Sequence, residues 1–439
     1  MPLALPCCAR GLNLNTMNFM DSRILTCLLF VCVLLCAAGS EARAGETLLD
    51  GAAATPITED YFCMHVHSKT GYEAAFSAAP FRYLRTWDSS IGWPLIEPEN
   101  DVWDWELLDR YVELARANGE QIVLTLGMTP LWAAKDPDAP SPYGTCSGSP
   151  PRELADWEDF IRHVAERNEA VYGGAIRHWE IWNEPDNFVG GYEFYSGTVP
   201  ELLDMARSAH RIIKQANPDN RILSPGITQV GMEWLDEYLS GGGAAITDIV
   251  AFHFYWDWFT PALRDYKNAI LPLHELMKKH GLQNKPLWIT ETGIGLKYNG
   301  SDAARAMAMV PLLAAPRLYG AAVSCNYAWN NSLFTGMFDV KEQKTTITYD
   351  TYMALHRWLL GSRIIALRQG PRNTGYVEIE RNGRTARILF RVGGGAIRYP
   401  ADPAWGDTAH HIDGTQSPVP ADRKIELNGA PLLIGDVDF

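Results

Sequence analysis

The chain has 439 residues, of which 47% are hydrophobic and 21% charged, and its formal net charge at pH 7 is −14. This length is enough for one large domain with a smaller one beside it, and the composition excludes a disordered or low-complexity protein. An acidic surface repels nucleic acids and anionic lipids, so we expect neither as a partner.

The N-terminus has the pattern of a signal peptide. An apolar run, Ile24–Ala38, follows Arg23, and the small residues that end at 42–44 provide a cleavage site. At ~1.5 Å per residue this run is too short to span a hydrocarbon core of about 30 Å comfortably. We therefore predict that residues 1–44 are a cleaved signal peptide, that the mature chain begins near Gly45, and that the protein is secreted or periplasmic with no stable membrane insertion.

Short apolar segments alternate with longer amphipathic segments between residues 58 and 361, a pattern typical of βα units around a parallel sheet. Eight such units predict an α/β fold, a (β/α)8 TIM barrel, which we assign to residues 45–361. The clearest helical periodicity lies at Leu107–Asn118, Leu154–Glu169, Glu201–Ala216 and Leu271–His280. The predicted strands are Tyr61–His67, Phe81–Trp87, Gln121–Gly127, Ile176–Trp182, Arg221–Pro225, Asp248–Phe254, Pro286–Thr290 and Ala321–Ala328.

Alternating apolar and polar residues replace the helical pattern in the last part of the chain. Two alternating segments flank Asn382-Gly383, a dipeptide that favours a hairpin turn. We predict that residues 362–439 form a small, β-sandwich-like antiparallel accessory domain packed on the barrel. Its candidate strands are Tyr376–Glu380, Thr385–Val392, Lys424–Leu427 and Pro431–Ile434.

Three cysteines remain after the predicted signal peptide: Cys63, Cys146 and Cys325. Three cysteines are too few for a disulfide framework. Cys63 and Cys325 belong to the first and last predicted barrel strands, which are neighbours in a closed barrel, so a disulfide is one option. Two buried thiols are the favoured interpretation.

Two glutamates lie at the ends of predicted barrel strands. Strand four ends in Trp182–Pro185, which contains Glu184, and strand seven ends in Trp288–Thr292, which contains Glu291. The active site of a TIM barrel lies at the carboxyl ends of its strands, so both side chains are expected at the barrel mouth. Two carboxyl groups on either side of one glycosidic bond are what glycoside hydrolysis requires. The structural alternative is an ion pair between Glu291 and Arg85 inside the barrel.

These segments resemble clan A of the glycoside hydrolases, and within it most closely family 39 and related bacterial enzymes. The resemblance covers residues 58–361. It implies a retaining glycoside hydrolase that cleaves O-glycosidic bonds of a poly- or oligosaccharide by double displacement, with Glu184 as the general acid/base and Glu291 as the nucleophile. The motifs that carry it are Leu84–Trp87, Trp182–Pro185, His253–Tyr255, Thr290-Glu291 and Tyr327–Trp329.

The resemblance also implies roles for four further residues. Asn183 would bind the sugar 2-hydroxyl, Arg85 and Tyr255 would hydrogen-bond Glu291 and keep it ionised, and Trp329 would form the floor of the sugar subsite. One departure is the segment Thr292–Gly295, where family 39 often has an aromatic or hydrophobic residue soon after the nucleophile. The clan assignment is therefore firmer than the family assignment.

Histidines and tryptophans near strand ends complete the set of candidate binding residues. His253 is either a site residue or a hydrogen-bonded core residue. We place Arg85, His65 and Trp132 with the substrate-binding groups. Flat aromatic faces stack on pyranose rings, so tryptophans at the barrel mouth predict a cleft with several subsites. The tryptophans at or just past strand ends are Trp87, Trp93, Trp132, Trp182, Trp256, Trp258 and Trp329.

Two other functions have to be weighed. His65 and His67 lie on one face of strand one, as in metal-dependent barrels of the amidohydrolase type. Strand four offers Glu184 without a lysine, strand five has no histidine and strand eight has no aspartate, so the ligand set is incomplete and we expect no metal and no cofactor. The second alternative is a non-catalytic carbohydrate-binding barrel, against which the presence of both glutamates argues.

Two long insertions follow strands three and four, at Thr129–Pro151 and Asp186–Val199. Insertions at the carboxyl ends of barrel strands border the active site, so these are expected to wall the cleft or to form a lid. The substrate is a carbohydrate, and xylan, a uronic-acid glycan and a bacterial exopolysaccharide all remain open.

Overall fold

The computed structural model describes residues 55–256, 263–294, 301–331, 334–393 and 396–437. The predicted signal peptide and Trp258 lie outside the described residues. Within the described ranges, no helix is both long enough and apolar enough to cross a bilayer.

Eight parallel strands form the barrel, which confirms the predicted fold class. The strands are β1 Phe62–His65, β2 Tyr83–Arg85, β3 Gln121–Leu126, β4 Ile176–Ile181, β5 Arg221–Leu223, β6 Val250–Trp256, β7 Leu287–Ile294 and β8 Ala321–Asn326. They follow one another in the order β5-β4-β3-β2-β1-β8-β7-β6. The two end strands meet through the isolated bridges Leu223↔Ile249 and Ile227↔Phe252, which close the barrel.

Helices fill the connections between these strands. The entry to α5 shows how the sequence fixes a boundary: the Thr198 hydroxyl accepts from the backbone of Glu201, and Glu201 accepts from the backbone of Thr198, which forms a capping box. The helices are α1 Tyr72–Ala78, α2 Trp93–Ile96, α3 Glu106–Asn118, α4 Leu154–Ala170, α5 Val199–Ala216, α6 Met232–Ser240, α7 Leu263–Lys279, α8 Asp302–Leu318 and α9 Ile347–Leu359. Short 3-10 turns lie at Glu59–Tyr61, Gly243–Ile246, Pro371–Asn373 and Pro403–Trp405.

A cluster of buried apolar side chains from strands around the barrel fills its interior. Two of its members, Cys63 of β1 and Cys325 of β8, are paired in register and form a disulfide with a Cα–Cα distance of 4.1 Å. The expectation of two free thiols was therefore wrong. Barrel closure brings adjacent inward-facing cysteines within disulfide reach, which is the option that strand adjacency had left open. Cys146 is a buried free thiol.

The C-terminal part is antiparallel. Asn382 and Gly383 both adopt positive φ, 53° and 79°, as the predicted hairpin turn requires. Helix α8 is buried along nearly its whole length because it packs on the barrel as well as against β9 and β11. The strands are β9 Arg363–Gln369, β10 Thr374–Arg381, β11 Arg384–Arg391, β12 Ile397–Pro400, β13 Thr408–His410, β14 Gln416–Pro418, β15 Lys424–Leu427 and β16 Leu432–Ile434. They form a six-stranded sheet in the order β9-β10-β11-β16-β13-β14 and a separate β12-β15 pair.

Two barrel strands extend further toward the mouth than predicted. Strand β6 ends at Trp256 and β7 at Ile294, so His253, Tyr255 and Glu291 lie within strands. Strand pairing sets His253 directly beside Glu291. The pairing shifts register between Phe252 and His253 and then continues to Trp256 and Ile294, so these side chains are held by the sheet and not by a loop.

Candidate active site

A cavity of about 490 Å³ opens at the carboxyl ends of the strands. Its volume is in the range of small-ligand sites, and both predicted catalytic glutamates line it. Three kinds of side chain share the wall. The carboxylates are Asp88, Glu184 and Glu291; the other polar groups are Asn183, Asn187, Thr228, Gln229 and His253; the apolar and aromatic groups are Tyr143, Val189, Phe194, Val230, Tyr255, Tyr327 and Phe334.

The chain leaves strand geometry just before Glu184. Trp182 and Glu184 have positive φ values of 69° and 45°, and Asn183 forms an isolated bridge with Gly226. The Glu184 backbone N–H donates to the Gly226 carbonyl at 2.7 Å. Non-glycine residues with positive φ persist only where their surroundings determine the backbone, and such residues concentrate at functional sites. This turn directs the Glu184 carboxyl group into the cavity.

Glu184 is 93% buried as a residue, and its carboxyl group is held at both oxygens. Oε2 accepts from Asn187 Nδ2 at 2.6 Å, and Oε1 lies 2.7 Å from Nδ1 of His253. Burial raises the pKa of Glu184 to about 7, against the opposing effect of the Asn187 hydrogen bond. A carboxyl group with this pKa keeps a proton close to neutral pH and can give it to a leaving group.

The Glu291 carboxyl group lies across the cavity, on β7. Oε1 accepts from Arg85 Nη1 at 2.6 Å and Oε2 accepts from the Tyr255 hydroxyl at 2.7 Å. These are the two contacts that the sequence predicted. Burial raises the pKa of Glu291, while the charges of His253 and Arg85 act in the opposite direction. Burial also lowers the pKa of His253 to about 4, so at neutral pH Arg85 supplies the positive charge.

The two glutamates are close enough to act on one bond. A carboxylate oxygen of Glu184, a carboxylate oxygen of Glu291 and a ring nitrogen of His253 all lie within 4.8 Å of one another. Retaining glycosidases hold their carboxyl groups about 5–5.5 Å apart, whereas inverting enzymes need about 6.5–9.5 Å to admit a water molecule. An oxygen-to-oxygen distance of at most 4.8 Å is in keeping with the shorter of these two spacings.

Arg85 organises the base of the site. It is fully buried, and its three nitrogens bond Glu180 at 2.5 Å, Glu291 at 2.6 Å and Asn183 Oδ1 at 2.6 Å. The bond to Oδ1 turns the Asn183 amide nitrogen away from Arg85. Arg85 had been counted among the substrate-binding residues, and this is corrected: it has no exposed surface and lies beneath the site.

Glu180 was not predicted. It is fully buried on β4, where one oxygen accepts from both Arg85 and Thr125. The available signal was a glutamate between the apolar residues Trp179 and Ile181 near the end of a barrel strand, because a carboxylate buried there needs a cationic partner. Residue 226 must be glycine beside it, since a Cβ would lie 2.5 Å from His253 Nε2 and 2.8 Å from Glu180 Oε1.

Trp329 does not floor the cavity, so that prediction was wrong. Its indole is fully buried, stacks on Phe338 and donates to the Gly71 carbonyl at 3.1 Å. Tyr327, two residues earlier, lines the cavity instead. Strand β8 ends at Asn326, so the alternation of sides that a strand imposes does not extend to Trp329.

His65 and Trp132 also lie away from the cavity surface. His65 is buried, with Nε2 2.8 Å from the Thr290 carbonyl, and its ring packs against Tyr327 from beneath. Trp132 donates to the Glu97 carbonyl at 3.1 Å and packs against Trp93. Both are supporting residues, and their assignment to substrate binding is corrected.

The predicted tryptophan-lined cleft is not found among the described residues. The aromatic lining consists of tyrosines and phenylalanines: Tyr143, Phe194, Tyr255, Tyr327 and Phe334. Tryptophans at strand ends are instead packing residues, as Trp87, Trp93, Trp182 and Trp256 are all at least 97% buried. Their size made them candidates, but the same size fills the space between strands and helices.

Both insertions contribute to the wall, as expected. Tyr143 comes from the first, and Val189 and Phe194 come from the second. The second insertion contains the short hairpin Phe188–Val189 and Tyr192–Glu193. These loops therefore form part of the wall around the site.

The metal-binding alternative gains no support from His65 and His67. Within the described ranges, neither belongs to a group of three or more side chains placed to hold an ion. Both histidines instead lie edge-on to the Tyr327 ring, with centroid distances of 5.0 and 5.2 Å.

Residues 169–332 match the family model described as the glycosyl hydrolase catalytic core. This segment includes both glutamates of the cavity. The chain carries a glycosyl hydrolase catalytic core and is a glycosidase, as predicted. Its substrate is accordingly a carbohydrate. No curated protein matches the chain in sequence.

Solved structures share the fold at low sequence identity. A family 39 enzyme from Xanthomonas axonopodis pv. citri is 16% identical with a TM-score of 0.62, over 90% of this chain and 98% of that one. A monomeric β-xylosidase from Caulobacter crescentus is 16% identical with a TM-score of 0.62, over 87% and 97%. A family 30 endoxylanase from Clostridium papyrosolvens is 12% identical with a TM-score of 0.58, over 87% and 98%. These structures share the barrel fold that the expected resemblance to clan A and to family 39 implied.

Proposed function

We propose that the protein is a retaining glycosidase in which Glu184 is the general acid/base and Glu291 the nucleophile. The observation that carries this proposal is the distance of at most 4.8 Å between a carboxylate oxygen of Glu184 and one of Glu291. It matches the spacing that double displacement needs, because the nucleophile has to reach the anomeric carbon directly.

In the first step, a Glu291 oxygen attacks the anomeric carbon while Glu184 gives its proton to the departing oxygen. The bond between the anomeric carbon and the leaving oxygen breaks, and a glycosyl ester forms on Glu291. In the second step, Glu184, now ionised, takes a proton from water, whose oxygen attacks the same carbon and releases Glu291. Each step inverts the anomeric configuration, so the product keeps the configuration of the substrate.

Several contacts support this division of roles. Arg85 and Tyr255 donate to Glu291 and favour its ionised form. No arginine or lysine donates a hydrogen bond to Glu184 among the described residues, and its pKa is about 7. Two carboxyl groups with different surroundings are the usual basis for an acid and a nucleophile in one site.

The substrate proposed for a first test is a β-linked xylose-containing glycan. Two fold relatives are described as a β-xylosidase and an endoxylanase, and this motivates the choice. Purified protein would be incubated with a panel of polysaccharides and aryl glycosides, and the products would be sized by mass spectrometry. Turnover of no member, with the fold intact, would favour a binding protein instead. We expect a chelator to leave the turnover unchanged; a loss that zinc restores would favour a metal-dependent hydrolase.

Azide rescue separates the two glutamates. Glu184→Ala should still form the glycosyl-enzyme from substrates with activated aryl leaving groups and then stall, and azide should release a product of retained configuration. Glu291→Ala should lose both steps, and any azide product should be inverted. Products of the same configuration from both variants would refute the assignment.

We also propose that the protein is exported and that residues 1–44 are removed as a signal peptide. The Cys63–Cys325 disulfide supports this, since disulfides persist mainly in oxidising compartments. N-terminal sequencing of protein from the extracellular or periplasmic fraction should give a start near Gly45. Recovery of the whole chain from the cytoplasm with free thiols at both positions would contradict the proposal.

A further inference from the structure

The cavity contains a third carboxylate, Asp88, for which double displacement has no use. It follows β2, is partly exposed, and lines the same cavity as the two glutamates. The Tyr327 hydroxyl donates to Asp88 Oδ2 at 2.6 Å, and Oδ1 forms no hydrogen bond with any described residue. The carboxylate is thus held in place with one oxygen free to accept hydrogen bonds.

The charge of Asp88 reaches both catalytic groups. It contributes to the raised pKa of Glu184 and to that of Glu291, although burial is the largest cause for each. Like charges raise a carboxyl pKa only across short distances in a poorly solvated space. A second anion placed in the cavity would experience the same field.

No positive group among the described residues faces the cavity to offset this field. Its described lining includes neither arginine nor lysine. Arg85 is fully buried, and each of its nitrogens already bonds Glu180, Glu291 or Asn183. Burial lowers the pKa of His253 to about 4, so this ring is neutral at pH 7.

We infer that Asp88, fixed by Tyr327, is a specificity residue that restricts the cavity to uncharged glycosyl units. Its oxygens accept hydrogen bonds from sugar hydroxyls, and its charge repels units that carry a carboxylate or a sulfate ester. The inference rests on the proposed glycosidase function and narrows it, because it removes uronic-acid units from the position next to the cleaved bond. Selectivity of this kind comes from a repulsive element as much as from attractive contacts.

The first test identifies the unit that occupies the cavity. The wild-type protein would hydrolyse a mixture of neutral, uronic-acid and sulfated glycans in oxygen-18 water. The label enters at the anomeric carbon that was attacked, and mass spectrometry then reads the sugar that carries it. A neutral labelled sugar is expected. A labelled uronic acid or sulfated sugar would overturn the inference and leave the glycosidase function standing, whereas the absence of any labelled product would refute the glycosidase function itself.

The second test asks whether Asp88 is the cause. The substrate found in the first test would be paired with its O-sulfated derivative, which can be assayed as an inhibitor when it is not cleaved. The wild-type protein should bind the derivative at least 100-fold more weakly than the neutral unit. Asp88→Asn should narrow this gap, the ratio of the two dissociation constants, about tenfold. It should also lower kcat/KM for the neutral substrate.

Asp219→Asn is the matched control. Asp219 is exposed in the turn between α5 and β5, on the side of the barrel opposite the cavity, so its replacement removes one negative charge without touching the site. It should leave the gap unchanged. An unchanged gap in Asp88→Asn, or an equal narrowing in both variants, would show that Asp88 does not set the selectivity. Thermal melting of both variants checks that the fold is intact.

Discussion

Replacing Arg85 by methionine tests the role of the buried charge beneath the nucleophile. Methionine keeps the apolar stem and removes the guanidinium, which bonds Glu180, Glu291 and Asn183 at 2.5 to 2.6 Å. Since Arg85 has no exposed surface, water cannot take over these bonds without a change in packing.

The expected effect on the nucleophile follows from the distance. Charges about 4 Å apart interact by about 4 kcal/mol at an effective dielectric constant of about 20. One pKa unit corresponds to about 1.4 kcal/mol, so the loss of Arg85 should raise the pKa of Glu291 by up to about 3 units. The pKa of Glu291 is already raised by burial, so this further rise would reduce the fraction of Glu291 that is ionised near neutral pH.

The sign of the change is fixed by the mechanism. The nucleophile must be ionised, so the acidic limb of kcat/KM should move to higher pH and approach the basic limb set by Glu184. The pH profile should then become lower and narrower, with kcat/KM at pH 7 reduced by more than tenfold and by at most about a thousandfold, the factor that the full 4 kcal/mol corresponds to. An initial-rate assay with an activated aryl glycoside between pH 4 and 9 measures both limbs.

A double variant separates this effect from loss of the fold. Arg85→Met leaves the buried Glu180 without a cationic partner, with only the Thr125 hydroxyl bonded to it, and the loss of such a partner typically costs about 3–5 kcal/mol of stability. Combining it with Glu180→Gln removes the unpaired charge, so thermal stability should recover while activity should not. If the folded double variant, or the single one, keeps kcat/KM within tenfold of wild type, the argument from the Arg85 charge fails.

Three further outcomes can be checked directly. The kcat/KM of the wild-type protein should fall above about pH 7, where Glu184 loses the proton that the leaving group needs, and a flat profile up to pH 9 would contradict the pKa of about 7. Tyr327→Phe should raise KM with little change in melting temperature, because Tyr327 lines the cavity. Trp329→Phe should lower the free energy of unfolding by about 1–3 kcal/mol and leave KM unchanged, because Trp329 is a packing residue. The reverse pattern would show that Trp329, and not Tyr327, contacts the substrate. Replacing Cys63 and Cys325 together by alanine should lower the free energy of unfolding by about 2–4 kcal/mol in denaturant titrations, and equal midpoints would show that the bridge does not contribute.

The positions of the two glutamates were predictable because they depend on topology. Barrel strands all end at one mouth, so a glutamate at the end of strand four and another on strand seven must converge there, whatever the neighbouring side chains do. The contacts of Arg85 and Tyr255 with Glu291 were expected from the family resemblance, and the structure contains both. Regular backbone geometry carries this information over long distances in the sequence.

Side chains beyond the strand ends were less predictable. Tyr327 and Trp329 are two residues apart and both aromatic, yet only Tyr327 lines the cavity. The choice depends on how the chain turns after β8, and that turn is set by long-range contacts such as the bond from Trp329 to the Gly71 carbonyl. Asp88 gave no signal either, because its partner Tyr327 is 239 residues away.

The buried charges of the site form one balanced set. If Glu180 were not beside it, Arg85 would lower the pKa of both Glu291 and Glu184 with its full charge, since that charge acts on each of them. Glu180 Oε2 lies 2.5 Å from Arg85 Nε, and Glu180 does not line the cavity. Its effect is therefore to neutralise part of the Arg85 charge. Glu291 then keeps the directed hydrogen bond that favours its ionised form, while Glu184, farther from the guanidinium, keeps a pKa near 7. A fully buried carboxylate that touches no substrate is therefore part of what allows one guanidinium to serve an acid and a nucleophile less than 5 Å apart.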